Sequence, residues 1–379
     1  MPIGQSENRD LTLTQKLLYV NWMFILLLAT VVAIGAGMLF SAANADMDPW
    51  ATRHFTRFGA GLALLIGVAL VHISIWIRFA YVFYALALVL LIAVEVMGQV
   101  GMGAQRWIDL GVIQLQPSEI MKFALVLALA RYFHYGSLED TWRLRFLVPP
   151  VLMVALAAGL VLKQPDLGTA LMMVAAAAVL FFLAGVRARW FALAIGAAMA
   201  AVPIGWQFLH GYQKDRVLTF LDPSRDPLGA GYHITQSKIA LGSGGMMGKG
   251  FLNGSQSHLN YLPEKHTDFI FTMLSEEFGL MGGLILLSLY VLIIAYGYLV
   301  ALRTRSQFGR LVALGVTTIF FLYVFINIAM VMGLLPVVGV PLPLVSYGGT
   351  AMLSLMAGFG LVICVSIHRE AALNRHEND

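Results

Sequence analysis

Charged residues are scarce in this chain. Asp, Glu, Lys and Arg make up 12% of its 379 residues, about half of the roughly 25% that is usual in a soluble domain. Hydrophobic residues make up 59%, and the mean hydropathy is +0.81. The apolar residues form runs of around 20, which are long enough to cross a bilayer as helices. The composition therefore excludes an ordinary soluble domain and predicts an integral membrane protein.

Cysteine and the familiar short catalytic motifs are also missing. Cys364 is the single cysteine, so no disulfide can form within the chain and cysteine usage does not indicate a redox compartment. The sequence has no His-Glu-x-x-His, no cysteine cluster and no Gly-x-Ser-x-Gly, which argues against a zinc protease or a serine hydrolase. The net charge is +4, and without a basic run it gives no indication of nucleic-acid binding.

About ten apolar spans follow one another along the chain. Their approximate limits are 18–40, 56–72, 79–97, 117–133, 147–163, 168–184, 191–209, 268–301, 309–333 and 349–367. The first run is too long for the core of a cleavable signal, so we predict that it is a retained helix. The predicted fold is all-α, with about ten transmembrane helices and one large extracytoplasmic loop between helices 7 and 8. Without a visible internal repeat, residues 18–367 form one polytopic membrane domain, flanked by tails 1–17 and 368–379.

Basic residues are unevenly distributed between the two sides of these spans. An even number of spans puts both termini on one side, which collects Arg9, Lys16, Arg78, Arg131, Arg143, Arg145, Arg187, Arg189, Arg303, Arg305, Arg310, Arg369 and Arg375. The short loops of the other side hold only Arg53, Arg57, Arg106 and Lys163. Because short cytoplasmic loops are enriched in Lys and Arg, we predict that both termini are cytoplasmic and that the long loop 211–267 lies outside.

Asp268 directly follows this polar loop, at the predicted boundary between water and membrane. Its carboxylate suits a general base that takes a proton from a hydroxyl. Asp is also a favoured N-cap or first-turn residue, so a capping role for the eighth span stays open. Ser275 and Glu276 lie about two turns further on, on a similar face. With Glu277 they predict that the eighth span begins as an amphipathic helix, before Gly279 and the apolar run.

Two further sets of polar residues lie at the ends of predicted spans. Glu119 and Lys122 are neighbours at i, i+3 and can pair, and charges inside a span indicate function by default; an ion pair that merely neutralises itself is the alternative. Asp166 follows a proline, where an ordinary N-cap is the strong alternative to a functional role. Arg106 and Trp107 share another outer loop, but Trp prefers the membrane interface in any case.

The glycine-rich stretch 241–250 invites comparison with a phosphate-binding loop. No Gly stands five residues before Gly248, and Gly250 follows Lys249 where Ser or Thr should stand, so the Walker pattern is absent. Backbone amides there can still form an anion-binding nest with help from Lys249. A flexible loop is the favoured interpretation.

Several of these segments, taken in order, resemble one known family. The matching stretches are 103–108 (Gly-Ala-Gln-Arg-Trp-Ile), 116–119 with Lys122, 164–169 (Gln-Pro-Asp-Leu-Gly-Thr), 229–238, 262–271 and 333–349. Together they are similar to the SEDS family, the polytopic cell-wall polymerases of bacteria, over nearly the whole chain after about residue 15. Residues 337–341 and 248–257 resemble the rod-shape, or elongation, branch of that family more than the division branch.

The resemblance implies a peptidoglycan glycosyltransferase of the bacterial cytoplasmic membrane. Its substrates would be lipid II and the glycan linked to undecaprenyl pyrophosphate, and its partners a class B penicillin-binding protein and other membrane proteins of the elongation complex. The family's catalytic acid matches Asp268. Residues implied to line the cavity match Trp107, Glu119, Lys122, Asp166 and Glu276.

The chemistry of such a reaction fits these residue types. A sugar hydroxyl needs a base, and a departing pyrophosphate gathers negative charge that a cation stabilises. Lys122, Arg106, Lys249 or a bound divalent ion (Mg²⁺ or Mn²⁺) are the candidates, and the sequence does not identify the metal. A flippase or transporter of lipid-linked precursors is the alternative function, although transporters usually show repeated halves. A scaffold that only anchors a transpeptidase is a third interpretation.

Overall fold

A computed structural model of the chain describes residues 12–101, 104–109, 111, 114–208, 211–222, 225–226, 229–258, 265–371 and 373. Most of the predicted tails, and residues 103 and 262–264 of the family stretches, lie outside this part. The described helices are α1 (Leu13–Tyr19), α2 (Trp22–Ala42), α3 (Trp50–Leu70), α4 (Ile73–Met97), α5 (Pro117–Tyr135), α6 (Leu144–Lys163), α7 (Leu167–Leu183), α8 (Ala188–Phe208), α9 (Gly211–Leu221), α10 (Ala230–Ser243), α11 (Ser255–His258), α12 (Ile270–Arg303), α13 (Gln307–Val331) and α14 (Gly349–Ile367).

Each of the ten predicted spans coincides with one of these helices, namely α2 to α8 and α12 to α14. Six of them, α2, α4, α6, α12, α13 and α14, are long and apolar enough to cross a membrane by length and composition. Helix α5 is buried on nearly every face and packs against α4, α7 and α13. It therefore stands near the centre of the bundle, where its charged residues must find partners within the protein.

Local sequence signals account for several helix starts. Asn21, Asp166 and Ser306 are N-caps whose side chains accept a backbone N–H of the first turn, as short polar residues do at this position. Pro117 opens α5, where its missing N–H costs nothing. These signals fix the residues at which α5 and α7 begin, independently of tertiary packing.

A small antiparallel sheet connects α4 to α5, which the sequence did not predict. Strands β1 (Gln99–Gly101), β2 (Ala104–Asp109) and β3 (Gln114–Leu115) lie in the order β1-β2-β3. Trp107 is opposite Gln99 across the first pair. Arg106 and Trp107 both lie on β2, in the hairpin that connects α4 to α5.

The described part of the predicted long loop 211–267 contains three helices, α9, α10 and α11, which the sequence did not predict. In α10, Gly231, Ile234, Ser237 and Ala240 are all buried. This spacing of three gives the helix one inward face. The Ser237 hydroxyl donates to the Val331 carbonyl over 2.8 Å, so α10 is fastened to the end of α13. The apolar stripe was present in the sequence but was hidden by the polar composition around it.

The beginning of α12 also differs from the prediction of an amphipathic helix. Residues 269–277 are all buried, including Glu276 and Glu277 at 0% exposure. Helix α12 then breaks at Gly279, whose φ of 65° and ψ of −162° are not helical. The first two turns of α12 are thus buried within the bundle, and the apolar span begins only after the break.

The glycine-rich stretch packs against this break, so the interpretation of a flexible loop is wrong there. The amides of Lys249 and Gly250 donate to the carbonyls of Glu276 and Glu277 at 3.0 and 2.9 Å. The amides of Leu280 and Met281, beyond the break, donate to the carbonyls of residues 245 and 246 at 2.9 and 3.1 Å. A broken helix leaves backbone groups without helical partners, and residues 244–250 supply those partners.

The described ends of the chain meet at one end of the bundle. The Lys16 ammonium donates to the Leu70 carbonyl over 3.0 Å, and the Cys364 thiol donates to the neighbouring Val71 carbonyl over 3.1 Å. Both contacts involve the turn between α3 and α4. The first and last helices therefore finish beside the same turn, as an even number of spans requires.

Candidate functional site

Asp268 lies in the turn before α12, at the mouth of the bundle. The N-cap of α12 is Phe269, with no side-chain capping bond, so Asp268 lies one residue before the N-cap position. Asp268 is partly exposed. A Cβ atom added to Gly339 would lie 3.5 Å from its Oδ2 atom. The carboxylate therefore faces the connection between α13 and α14, residues 332–348, which we call the strap.

The strap also approaches the start of α7, which carries Asp166. A Cβ atom added to Gly168 would lie 3.2 Å from the Val338 Cβ atom. Val338 and Gly339 are adjacent, so this part of the strap runs between the α7 start and Asp268. The tertiary structure thus brings two of the predicted acids to either side of one short segment.

Asp166 caps α7, one of the two roles that the sequence left open, and its functional role stays a prediction. Its Oδ1 atom accepts the Thr169 amide over 3.2 Å and its Oδ2 atom the Thr169 hydroxyl over 2.9 Å, so the capping role is confirmed. Oδ2 also lies 3.9 Å from Nη1 of Arg106 and 3.4 Å from Nε2 of Gln116. Arg106 donates in addition to the carbonyls of residues 164 and 165, which joins the hairpin to the end of α6.

Glu119 and Lys122 form the ion pair that the sequence predicted, with Nζ 2.7 Å from Oε1. The Tyr323 hydroxyl lies 2.6 Å from both carboxylate oxygens and also contacts the Lys122 ammonium. The Ser354 hydroxyl donates to Oε2 over 2.9 Å. These four side chains, from α5, α13 and α14, are at most 8% exposed. Their mutual bonds offset part of the cost of burying two charged side chains.

Glu276, three residues before the Gly279 break, forms an ion pair with Lys249. The Lys249 ammonium lies 2.7 Å from Oε1 of Glu276, which also accepts the Gln256 amide over 2.9 Å. Ser255 donates to the same oxygen over 3.2 Å. The alternative of an anion-binding nest loses support, because the amides of Gly248, Lys249 and Gly250 already donate to carbonyls.

All three predicted cations of the site are therefore bound to carboxylates: Arg106 to Asp166, Lys122 to Glu119 and Lys249 to Glu276. Arg106 and Lys249 keep about a quarter of their side chains exposed, at 24% and 27%, whereas Lys122 is at 1%. A negatively charged ligand at the surface thus meets Arg106 and Lys249 first. Trp107 is half-buried in the same hairpin as Arg106.

Two residues of the site were missed by sequence reasoning. Tyr323 and Asn327 lie one turn apart on α13 and are 1% and 0% exposed. Asn327 donates to the Asp268 carbonyl, so α13 links Asp268 to the Glu119 network. The available signal was a polar residue in the middle of an apolar span, which is costly without partners.

Burial lowers the pKa of Lys265, three residues before Asp268. An ammonium in such surroundings loses its proton closer to neutral pH than an exposed lysine does. Lys265 is 5% exposed, so the segment that leads to Asp268 is packed against the bundle rather than extended into solvent.

No group of three or more His, Cys, Asp or Glu side chains that could hold a metal ion occurs among the described residues. Asp166, Glu119 and Glu276 are each committed to a cation. A divalent ion held by one or two carboxylates together with substrate phosphates would not need such a group, so the predicted divalent ion stays a prediction.

A small cavity lies between the strap, Tyr323 and the start of α14.

Comparison with known proteins gives a consistent result. Residues 15–371 match the family described as cell cycle protein, which groups FtsW, RodA and SpoVE. The chain is 46% identical over 354 residues to the peptidoglycan glycosyltransferase MrdB of Escherichia coli strain K12, covering 92% of this chain and 93% of that protein.

Solved structures agree with this match. A chain from a peptidoglycan synthase complex that coordinates polymerization and crosslinking is similar with a TM-score of 0.80 at 34% identity, over 92% of this chain and 98% of that one. The rod shape determining protein RodA of Thermus thermophilus is similar with a TM-score of 0.71 at 29% identity, over 93% and 98%. This chain belongs to the SEDS family, as the sequence stretches predicted, and its fold is RodA-like.

Proposed function

We propose that this chain is a peptidoglycan glycosyltransferase that polymerises lipid II into glycan strands during cell elongation, on the outer side of the bacterial cytoplasmic membrane. Its 46% identity to a protein of that activity supports the assignment. The observation that carries it is the state of Asp268. Of the four acids at the site, Asp166, Glu119 and Glu276 are buried, whereas Asp268 is partly exposed at the mouth.

In this proposal Asp268 is the general base. A hydroxyl oxygen of the acceptor sugar attacks the anomeric carbon of the donor, and the Asp268 carboxylate takes the hydroxyl proton. The bond from the anomeric carbon to the pyrophosphate oxygen breaks, and the lipid pyrophosphate leaves with the electron pair. A positioned base contributes typically 10²–10⁴-fold to such a step.

The leaving pyrophosphate gains charge that the protein must stabilise. Arg106 and Lys249 are the proposed contacts, because both are partly exposed and hold their carboxylate partners without being enclosed. Trp107 offers a ring beside Arg106 for a sugar or lipid. Glu119, Lys122, Asp166 and Glu276 are proposed to complete the substrate-binding cleft by holding α5, α7 and α12 in place.

We derive no step through a metal ion. The need for Mg²⁺ or Mn²⁺ is therefore a variable of the assay rather than part of the mechanism.

The proposed setting is a ten-span protein with both termini in the cytoplasm. The mouth of the bundle, with Asp268, then faces outward, where lipid II is polymerised. A class B penicillin-binding protein and other membrane proteins of the elongation complex are the proposed partners. The similarity to a chain from a complex of polymerization and crosslinking supports this.

The test compares wild type with Asp268→Asn and Asp268→Ala in detergent and in liposomes, using labelled lipid II. Asn is nearly isosteric but cannot act as a base, so we expect a turnover at least about 100-fold lower with an unchanged unfolding temperature. Each assay is run with and without Mg²⁺ and Mn²⁺, and with and without a class B penicillin-binding protein.

Asp215→Asn is the matched control, since Asp215 is an exposed acid on α9. We expect it to retain wild-type turnover. Normal glycan polymer from Asp268→Asn would contradict the proposal. Movement of lipid II across liposomes without polymer would instead identify a flippase, and neither polymer nor movement with any partner would indicate a scaffold.

A further inference from the structure

We propose that Asn327 is a positioning residue for the reaction, which fixes the main chain that carries Asp268 relative to the strap. This inference rests on the proposed function of Asp268 as the base. It goes further in naming the side chain of α13 that holds the main chain of the base in place.

The Asn327 amide bridges two segments that are far apart in the sequence. Its Nδ2 atom donates to the Asp268 carbonyl over 2.9 Å and to the Val340 carbonyl over 2.7 Å. An amide nitrogen carries two hydrogens, so both bonds can form at once. Rotating the amide by 180° would face its oxygen against two carbonyl oxygens, which sets its orientation.

Asn327 is one of three donors to consecutive carbonyls before α12. The Tyr347 amide donates to the His266 carbonyl over 2.9 Å. The Ser346 hydroxyl donates to the Thr267 carbonyl over 2.6 Å, and Asn327 donates to the next carbonyl. Residues 266–268 are therefore held, one carbonyl at a time, by α13 and the strap.

The strap in turn is shaped around the Asp268 carboxylate. Gly339 has a φ of +72° and lies one residue before Val340, the second acceptor of Asn327. A Cβ atom on Gly339 would stand 3.5 Å from Oδ2 of Asp268. The Asn327 amide thus sets the distance between the carboxylate and the strap surface beside it.

Precision at this point matters because aspartate is short. Its carboxylate follows its own main chain through two rotatable bonds, so a shift of the Asp268 carbonyl moves the base. A misplacement of about 1 Å can reduce a rate by about 100-fold. Packing alone does not explain the choice of residue, since an apolar side chain is less costly than Asn inside a helix that faces no water.

The first experiment measures turnover and KM for Asn327→Ala and Asn327→Asp with purified protein and labelled lipid II. Ala removes both donors, and Asp places carboxylate oxygens against two carbonyls. We expect turnover to fall by about 10-fold to 100-fold, with KM within twofold of wild type. Thr317→Val is the control on the same helix, because the buried Thr317 hydroxyl donates only to the Ala313 carbonyl of α13.

A milder variant tests the same segment in case the Asn327 variants do not fold. Ser346→Ala removes only the bond to the Thr267 carbonyl and the bond from the Leu342 amide. If Asn327 and Ser346 hold the same segment, the turnover loss of the double variant will be smaller than the product of the two single losses. Asn327→Ala combined with Thr317→Val should instead give a simple product, since independent sites are additive in free energy.

Three results would overturn the inference: wild-type turnover for both Asn327 variants, losses that lie wholly in KM, or a simple product for the Asn327 and Ser346 pair. The Asp268→Asn assay separates these from failure of the proposed function. An inactive Asp268→Asn protein together with fully active Asn327 variants would contradict the positioning role of Asn327 and leave the proposed function intact.

Discussion

The acidic side chains of the site differ in what surrounds them. Glu119, Asp166 and Glu276 each lie against a cation and several hydrogen-bond donors, at 5% exposure or less. Partners of this kind offset part of the cost of burying a carboxylate. Asp268 is partly exposed, and Asn327 donates to its main-chain carbonyl. Exposure therefore separates the three enclosed acids from the one that we propose as the base.

At this scale the Glu119–Lys122 pair makes a testable contribution to stability. Lys122→Met leaves the Glu119 carboxylate buried without its cation, and such a change costs about 3–5 kcal/mol. Adding Glu119→Gln removes the buried charge while keeping acceptors for Tyr323 and Ser354, so most of the loss should be recovered. The apparent unfolding temperature in detergent measures both effects.

The control for this prediction is Lys163→Met. Lys163 pairs with Glu95 over 2.5 Å, but its side chain is 70% exposed, and an exposed pair contributes about 0–1 kcal/mol. Equal shifts for Lys122→Met and Lys163→Met would contradict the role of burial. Failure of the second substitution to restore stability would show that the network depends on more than charge balance.

At the scale of elements, the break in α12 is the feature on which the site depends. The helix stops at Gly279, and residues 244–250 bond to the backbone groups that the break leaves unpaired. The Lys249–Glu276 ion pair lies across the same contact. The polar residues at the start of α12 are therefore buried in a short helical segment that ends at the break. The segment that carries Asp268 precedes it and faces the strap.

Gly279→Ala tests this arrangement. The backbone conformation of Gly279 is open essentially to glycine alone, and its strain in another residue costs on the order of 1–3 kcal/mol. The added Cβ would also lie 2.4 Å from the Gly248 nitrogen, so we expect a marked drop in unfolding temperature and a loss of polymerisation.

Gly283→Ala on the same helix provides the comparison. Its Cβ would meet the nearest atom, on Phe271, at 3.5 Å, which is an ordinary contact. We expect at most a small change in unfolding temperature. If both variants behaved alike, the break at Gly279 would not be a structural requirement.

At the scale of the whole molecule, the helices alternate between two ends. Lys16 and Cys364 both bond to the α3–α4 turn, while the starts of α7 and α12 and the strap form the opposite mouth. The uneven distribution of arginine then predicts which end faces the cytoplasm.

Cysteine labelling tests this orientation. Met247 is 75% exposed beside the α12 break, and Leu138 is 65% exposed in the connection between α5 and α6. In a protein carrying Cys364→Ala, Met247→Cys should react with a membrane-impermeant maleimide in spheroplasts, and Leu138→Cys only after permeabilisation. The reverse pattern would turn the mouth of the bundle, and Asp268 with it, toward the cytoplasm.

The positions of the helices followed from sequence because they depend on local composition. A run of around 20 apolar residues has few alternatives in a membrane, and all ten predicted spans coincide with helices. The Glu119–Lys122 pair and the Asp166 cap were equally accessible, since both join residues three positions apart. Family-specific stretches singled out Asp268 as the proposed base, which spacing alone did not distinguish from a helix cap.

Tertiary structure alone decided how these parts meet. Tyr323 reaches Glu119 across 204 residues, and Lys249 reaches Glu276 across 27. Sequence separations of this length produce no periodic pattern that could be recognised in a sequence. The packing of residues 244–250 against a broken helix depends on backbone groups, whose partners no side-chain pattern encodes. The segment before α12 is held by donors from α13 and the strap, so the position of Asp268 is a property of the assembled bundle.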